Sequence, residues 1–233
     1  MRFAYGANKK KRKAPGEPVV LDVPEFRMQR GERVFLHGPS GSGKTTLLGL
    51  LGGVLDIPAG GRVGVLGQDL ATLSSAARDA FRGSHMGYIF QMFNLIPYLS
   101  VVENITLPCR LNADRRARLK GREASEVAQE LADHLGIADY LNSPVTRLSV
   151  GQQQRVAAAR ALIGDPELII ADEPTSALDT DRRENFIELL FQRCQASGAS
   201  VLFVSHDHGL RSLFDRDVSL AEINQARSTE VSV

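Results

Sequence analysis

Short runs of β-branched and apolar residues alternate along this chain with longer stretches in which apolar positions recur every three or four residues. The runs at 19–23, 33–37, 62–66, 86–90, 168–171 and 200–205 predict strands, since apolar and β-branched enrichment over four to six positions suits a pleated, buried surface. The stretches 45–51, 74–82, 122–135, 151–163 and 181–196 predict helices. Strands alternating with helices imply α/β layering around a mainly parallel sheet. Residues from about 95 to 163 carry almost no strand signal and read as a helical subdomain inserted into the sheet domain. Within it, Val127, Leu131 and Leu135 repeat at i, i+4 and i+8, one face of a helix, and ordinary core packing accounts for them.

The composition narrows the class. A chain of 233 residues that is 43% hydrophobic can bury a core for one large domain, or a domain with a subdomain. A net charge of +1 gives no global attraction to nucleic acid or acidic lipid, so no nucleic-acid partner is expected. The richest apolar stretch, 47–55, is too short to span a bilayer and is broken by Gly49, Gly52 and Gly53. The N-terminus is basic, but no apolar segment follows it, which argues against a secretory signal. Cys109 and Cys194 have no metal-type spacing, and two cysteines in a chain this long suggest a reducing compartment. The expectation is a soluble, cytoplasmic, globular protein.

Chemistry enters with Gly38-x-x-x-x-Gly43-Lys44-Thr45, which follows a predicted strand and opens a predicted helix. That setting is the one a phosphate-binding loop requires. Gly38, Gly41 and Gly43, with Ser40 between them, let the backbone curl so that successive N–H groups face phosphate oxygens. The helix start at Thr45 and Thr46 adds partial positive charge. Lys44 is placed to neutralise the β- and γ-phosphates of ATP, and the Thr45 hydroxyl to ligate Mg²⁺.

A second signal is the apolar strand at 168–171, which ends in Asp172-Glu173. The carboxyl edge of an open α/β sheet is where ligands bind. Asp172 there suits Mg²⁺, directly or through water, and Glu173 is placed to polarise an attacking water. Taken alone, the pair reads equally as an acidic loop after a strand.

Between these two elements lies Leu148-Ser-Val-Gly-Gln-Gln-Gln-Arg155. With it, nearly the whole chain resembles the nucleotide-binding subunits of ATP-binding-cassette (ABC) transporters. The resemblance implies an α/β, P-loop NTPase (RecA-like) core, about 1–92 and 164–233, with an inserted helical subdomain at about 93–163. Ser149, Gly151 and Gln152 match the family signature, usually Leu-Ser-Gly-Gly-Gln, with Val150 in place of the first glycine. In the family this segment caps the γ-phosphate held by the opposite subunit. The resemblance further implies that Gln91 reaches Mg²⁺ and the attacking water, and that His206 contacts the γ-phosphate. Ser176-Ala-Leu-Asp179 would cross the dimer seam, and Tyr5 would stack on adenine. Packing of Tyr5 or Phe3 on the core is an equal alternative. His37, His85, His134 and His208 read as ordinary surface or core histidines.

The segment from Tyr88 through Gln91 to Ile105 looks like the MacB/LolD-like branch, whose members energise membrane partners. The implied assembly is a homodimer or heterodimer of the ATPase, docked on an integral permease of the FtsX/MacB-like type. It would sit at the cytoplasmic face of the inner membrane. Phe93, Leu95, Ile96 and Tyr98 either form a groove for a permease helix or close the subdomain core. An FtsE-like regulatory ATPase, controlling envelope enzymes rather than transport, is the alternative function. Relatives in DNA repair or translation are disfavoured, because the chain has no sustained heptads and a single cassette. The basic run Lys9-Lys-Lys-Arg-Lys13 reads as a solvated hairpin, with a lipid or nucleic-acid contact as alternatives.

Overall fold

The computed structural model describes residues 2–3, 19–176 and 180–226, the side chains of Arg2 and of 180–182 apart. Tyr5, the run Lys9 to Lys13 and Asp179 lie outside the described residues.

In chain order the elements are β1 (Arg2–Phe3), β2 (Leu21–Asp22), β3 (Arg33–His37), α1 (Lys44–Leu51), β4 (Gly64–Val65), β5 (Gln68–Asp69), α2 (Ser75–His85) and β6 (Met86–Ile89). They continue with α3 (Val101–Leu111), α4 (Ala113–Ala117), α5 (Ala124–His134), α6 (Val150–Leu162), β7 (Leu168–Asp172), α7 (Thr180–Ser197), β8 (Ser200–Val204), β9 (Arg216–Ser219) and α8 (Leu220–Ile223). Five strands form one parallel sheet in the order β6-β7-β8-β3-β9.

Polar residues of the inner strands are confined to the strand ends, and the rest is apolar because both faces are covered. Alternation along the pleat divides their side chains between two cores. Val34, Leu36, Ile170, Leu202 and Val204 meet Leu47, Leu48 and Leu50 of α1 on one face. Phe35, Ile169, Ala171, Val201 and Phe203 join the helices on the other. β9 has no counterpart among the predicted strands. It is an edge strand whose first two residues are exposed charges and whose Val218 alone is buried, so its sequence carries no apolar run. The strand expected at 62–66 shrinks to a hairpin of β4 and β5, in which a tight turn reverses the chain. Leu66 (φ 51°) and Gly67 (φ 81°) make that turn. The strand expected at 19–23 narrows likewise to β2, paired antiparallel with β1.

The stretch without strand signal is helical, as expected. α3 lies within it although Pro108 sits inside the helix. A capping box of Ser100 and Glu103 starts α3 and α5 packs beside it, outweighing the proline. The stripe Val127, Leu131 and Leu135 is buried core. Cys109 and Cys194 are free and buried, and burial pushes the Cys194 thiol up to about 12.

Arg115 and Gly87 draw the helices close to the sheet. Arg115 of α4 is 1% exposed and donates to the carbonyls of Met86 (2.8 Å), Ala161 (2.6 Å) and Ile163 (2.7 Å). Gly87 of β6 lets α6 approach, since a Cβ there would stand 2.2 Å from the Ala161 carbonyl oxygen. Among the described residues no helix is long and apolar enough to cross a membrane.

Candidate functional site

Four neighbouring strands deliver four chemical segments to one edge of the sheet. β6 leads to Gln91, β7 ends in Asp172 with Glu173 next, β8 leads through Ser205 to His206, and β3 leads into Gly38–Thr45. The strands end almost flush, with Ile89 paired to Ala171, and both Asp172 and Leu36 paired to Val204. Strands lie about 4.8 Å apart, so the four segments fall within roughly 15 Å of sheet edge, the scale of a nucleoside triphosphate.

The loop after β3 has the curled form its glycines predict. Gly41 (φ 78°) and Gly43 (φ 99°) take left-handed backbone. A side chain resists such values. At Gly43 a Cβ would also press to 3.2 Å on the Val20 carbonyl oxygen. Gly43 caps α1, so the N–H groups of the helix start, including those of Thr45 and Thr46, are turned toward the loop. Ser40, Gly41 and Thr45 are exposed, while Thr46 is buried under the loop. Lys44 folds back over the loop, its ammonium donating to the carbonyls of Gly38 (2.7 Å) and Pro39 (3.0 Å). An ammonium has three donors, so this grip holds the charge at the loop mouth with capacity for an oxyanion.

At the end of β7, Asp172 and Glu173 crowd two carboxylates together. Burial, and then the charge of Glu173, push the Asp172 carboxyl above its usual value, against the pull of the Lys44 ammonium. Glu173 takes φ of 46°, and its N–H is anchored to the Val204 carbonyl of the next strand at 2.9 Å. Left-handed backbone of this kind is uncommon for a glutamate. Its carboxylate lies 2.9 Å from His206 Nδ1. The Glu173 side chain is 12% exposed and that of His206 72%, so the carboxylate is shielded while the imidazole projects outward. Thr45, Asp172 and Gln91 offer hydroxyl, carboxylate and amide oxygens, a hard donor set that suits Mg²⁺. Two adjacent carboxylates on a half-buried ledge fit a divalent cation for the same electrostatic reason that raises Asp172.

The segment at 149–152 is built differently. Ser149 caps α6 in a reciprocal box with Gln152. The Ser149 hydroxyl accepts from the Gln152 N–H at 3.3 Å. The Gln152 amide oxygen accepts from the Ser149 N–H at 2.8 Å. Val150 occupies the first helical position, exposed, so its side chain meets no obstacle. Among the described residues every hydrogen bond of Ser149 is to its own helix, and none joins it to the Lys44 loop.

The remaining expectations divide. Phe93 is buried and Leu95 packs against the core, whereas Tyr98 is 84% and Met92 80% exposed. The expected groove therefore splits, with Phe93 and Leu95 closing the core and Tyr98 left outside. Ser176 is exposed, its N–H donating to the Glu173 carbonyl at 3.3 Å. His37 and His134 are ordinary packed or hydrogen-bonded histidines: burial, then Arg211 and His208, hold His37 below its usual value, and His134 Nε2 meets the Leu189 carbonyl.

Two supporting residues carry no sequence signal of their role. Asn224 donates to the carbonyls of Ser42 and Val20 and accepts from Asp22 N–H, bracing the phosphate loop from behind. Arg160 of α6 holds the backbone just beyond Gln91. A lone Asn near the C-terminus offers no pattern to find it by; Arg160 lies inside a helix that the pattern predicts.

Comparisons with known proteins agree with this geometry. The ABC transporter family pattern matches residues 21–176. The lipoprotein-releasing system ATP-binding protein LolD 1 of Rhodopseudomonas palustris is 41% identical over 209 residues, covering 89% of this chain and 90% of that relative. The macrolide export ATP-binding/permease protein MacB of Rhodopirellula baltica is 38% identical over 218 residues, covering 94% of this chain and 31% of that longer protein. Among solved structures, a dimeric ATP-binding cassette in a post-hydrolysis state, bound to ADP and Pi, superposes with a TM-score of 0.78 at 33% identity. The match covers 90% of this chain and 89% of that one. The loop of Lys44, the acidic end of β7 and the capped start of α6 thus stand in an ATPase subunit, and the chain belongs to the ABC transporter family.

Proposed function

We propose that this chain is the motor of an envelope transporter, working as a pair whose two ATP sites are each shared between subunits. The observation that carries the reading is the flush delivery of Gln91, Asp172-Glu173, His206 and the Lys44 loop from four adjacent strands. Residues about 1–92 and 164–233 form the ATP-binding core and about 93–163 the helical insert that meets the membrane partner.

In this reading the amides of 38–46 and the Lys44 ammonium bind the β- and γ-phosphates. Thr45, Asp172 and Gln91 would hold Mg²⁺, which would withdraw charge from the phosphate oxygens when bound. Glu173 accepts a proton from the attacking water, and its left-handed backbone, pinned to Val204, fixes the direction of the carboxylate. His206, carried on the neighbouring strand and joined to Glu173, faces the γ-phosphate. Ser149 and Gly151 at the start of α6 serve the nucleotide of the partner subunit. Their purely local hydrogen bonds, and the dimeric state of the solved relative bound to ADP and Pi, support that sharing. Asp179 belongs to the seam in the same reading.

Relatives named for lipoprotein release and macrolide export favour transport over FtsE-like regulation. The MacB relative joins an ATP-binding part to a permease part, so a permease of that type is the proposed membrane partner. Exposed Met92 and Tyr98, beside Gln91, are the surface offered to it. Attachment to such a permease places the chain at the cytoplasmic face of the inner membrane.

Glu173→Gln tests the site. Turnover is expected to fall about 10²- to 10⁴-fold, the usual contribution of a general base. A dimer should accumulate with ATP in size-exclusion chromatography. Hydrolysis at the wild-type rate would remove the role given to Glu173.

A further inference from the structure

Gln91 is exposed and stands in the turn that follows β6, and among the described residues its side chain makes no hydrogen bond. What shapes that turn is unusual. Phe93 and Asn94 both take left-handed backbone, with φ of 58° and 48°. For phenylalanine this is a strained state, of order 1–3 kcal/mol, that persists only where surrounding contacts impose it. Two local bonds close the turn, from Phe93 N–H to the Phe90 carbonyl and from Asn94 N–H to the Met92 carbonyl. That leaves the carbonyls of Phe93 and Asn94 directed away from the turn, and a single side chain takes both.

That side chain is Arg160, in the last turns of α6. Its two terminal nitrogens donate separately, one to the Phe93 carbonyl at 2.5 Å and the other to the Asn94 carbonyl at 2.7 Å. The guanidinium is half-buried, and burial lowers its pKa. Among the described residues no carboxylate forms an ion pair with it. A partly desolvated cation without a counter-charge is costly unless it is fully hydrogen-bonded. Its partners here are carbonyls of two consecutive left-handed residues, each met by its own nitrogen of the planar fork, a geometry that an ammonium on a shorter stem does not reproduce.

We infer that Arg160 is a positioning residue that fixes the backbone turn carrying Gln91, and so ties the approach of Gln91 to the same helix whose first turn presents Ser149. This deepens the reading of Gln91 given above and rests on it. α6 is then a rod with two duties. Its start serves the nucleotide of the partner subunit, and its end sets the metal-facing glutamine of its own subunit. A shift of the helix on engaging the partner's nucleotide would move the turn at Gln91 with it.

The test is a double-mutant cycle of Arg160→Lys and Gln91→Ala in the full chain, repeated with Arg160→Gln. The readouts are kcat, the Mg²⁺ concentration for half-maximal rate, and ATP affinity measured in EDTA. Arg160→Lys is expected to lower kcat and to raise that Mg²⁺ concentration by about 10- to 100-fold, the usual effect of removing a support behind a metal-facing group. ATP affinity in EDTA should stay within about 2-fold, because the Lys44 loop is untouched, and that value also certifies folding. In the Gln91→Ala background either Arg160 substitution should add little, since its effect passes through Gln91. Full additivity, or an unchanged kcat and Mg²⁺ dependence in both single Arg160 variants, would overturn the inference. Should Gln91→Ala alone leave the Mg²⁺ dependence unaltered, the role of Gln91 falls and the inference with it. A Gln91 effect accompanied by an additive Arg160 effect removes only the inference.

Discussion

At the scale of single residues, the site shows where chemistry competes with stability. Asp172 is held above its ordinary pKa by burial and by Glu173, with Lys44 pulling the other way. A carboxyl whose folded pKa exceeds its unfolded pKa binds its proton more tightly in the native state. Its contribution to stability is therefore complete below the unfolded value and is lost as pH rises through the folded one. At neutral pH the ionised Asp172 costs stability in the nucleotide-free protein. Asp172→Asn removes that charge at constant shape, so it should raise the Tm at pH 7 and narrow its gap from wild type toward pH 4. Mg²⁺-dependent turnover should meanwhile fall by about 100-fold. A lower Tm at pH 7, measured without nucleotide or metal, would show that hydrogen bonding to the ionised carboxylate outweighs its burial. Glu173 has a different cost, in its backbone: its φ of 46° persists because the anchored N–H and the neighbouring strand impose it.

At the scale of elements, the sequence is readable wherever burial is two-sided. β3, β7 and β8 each carry an unbroken apolar run, polar only at strand ends, because helices cover both faces, and each lies within a residue or two of its predicted span. β9 is invisible because the physics of an edge favours charge, and Arg216 and Asp217 follow that rule. α3 hides behind Pro108, although Ser100 and Glu103 spell its start. The phosphate loop and the capped start of α6 are legible for another reason: their chemistry depends on local backbone, which local sequence determines. The supports Arg115, Arg160 and Asn224 are not, because each reaches carbonyls that are remote in the chain. Arg115 shows what such a support is worth. It stitches α4 to β6 and to the end of α6 through its donors to Met86, Ala161 and Ile163. Arg115→Met keeps the stem but leaves those buried carbonyls short of a donor, at a cost of about 3 kcal/mol or more. For a domain of this size the Tm should fall by roughly 6 to 12 °C. A shift under about 2 °C in calorimetry would mean that water or a rearranged side chain reaches those carbonyls instead.

At the scale of the whole molecule, the question is whether one chain holds a complete site. The Lys44 loop, Asp172, Glu173 and His206 share one sheet edge, while among the described residues Ser149 bonds within its own helix alone. Under the proposed two-fold arrangement each ATP lies between the loop of one copy and the signature of the other. Two separately inactive chains should then restore each other. Lys44→Ala lacks a working loop but keeps its signature. Ser149→Arg keeps its loop, but places a bulky cation where the partner's phosphate must approach. In a mixed pair, the loop of the Ser149→Arg chain faces the intact signature of the Lys44→Ala chain, giving one sound site and one doubly damaged one. Random pairing of equal amounts makes half the dimers mixed, so activity should recover to at most about a quarter of the wild-type rate per chain. The recovery should vanish on dilution, since it depends on pairing rather than on either chain alone. Activity in either variant by itself at the level of the mixture, or silence of the mixture at every ratio and concentration, would mean that the site is not shared in this way.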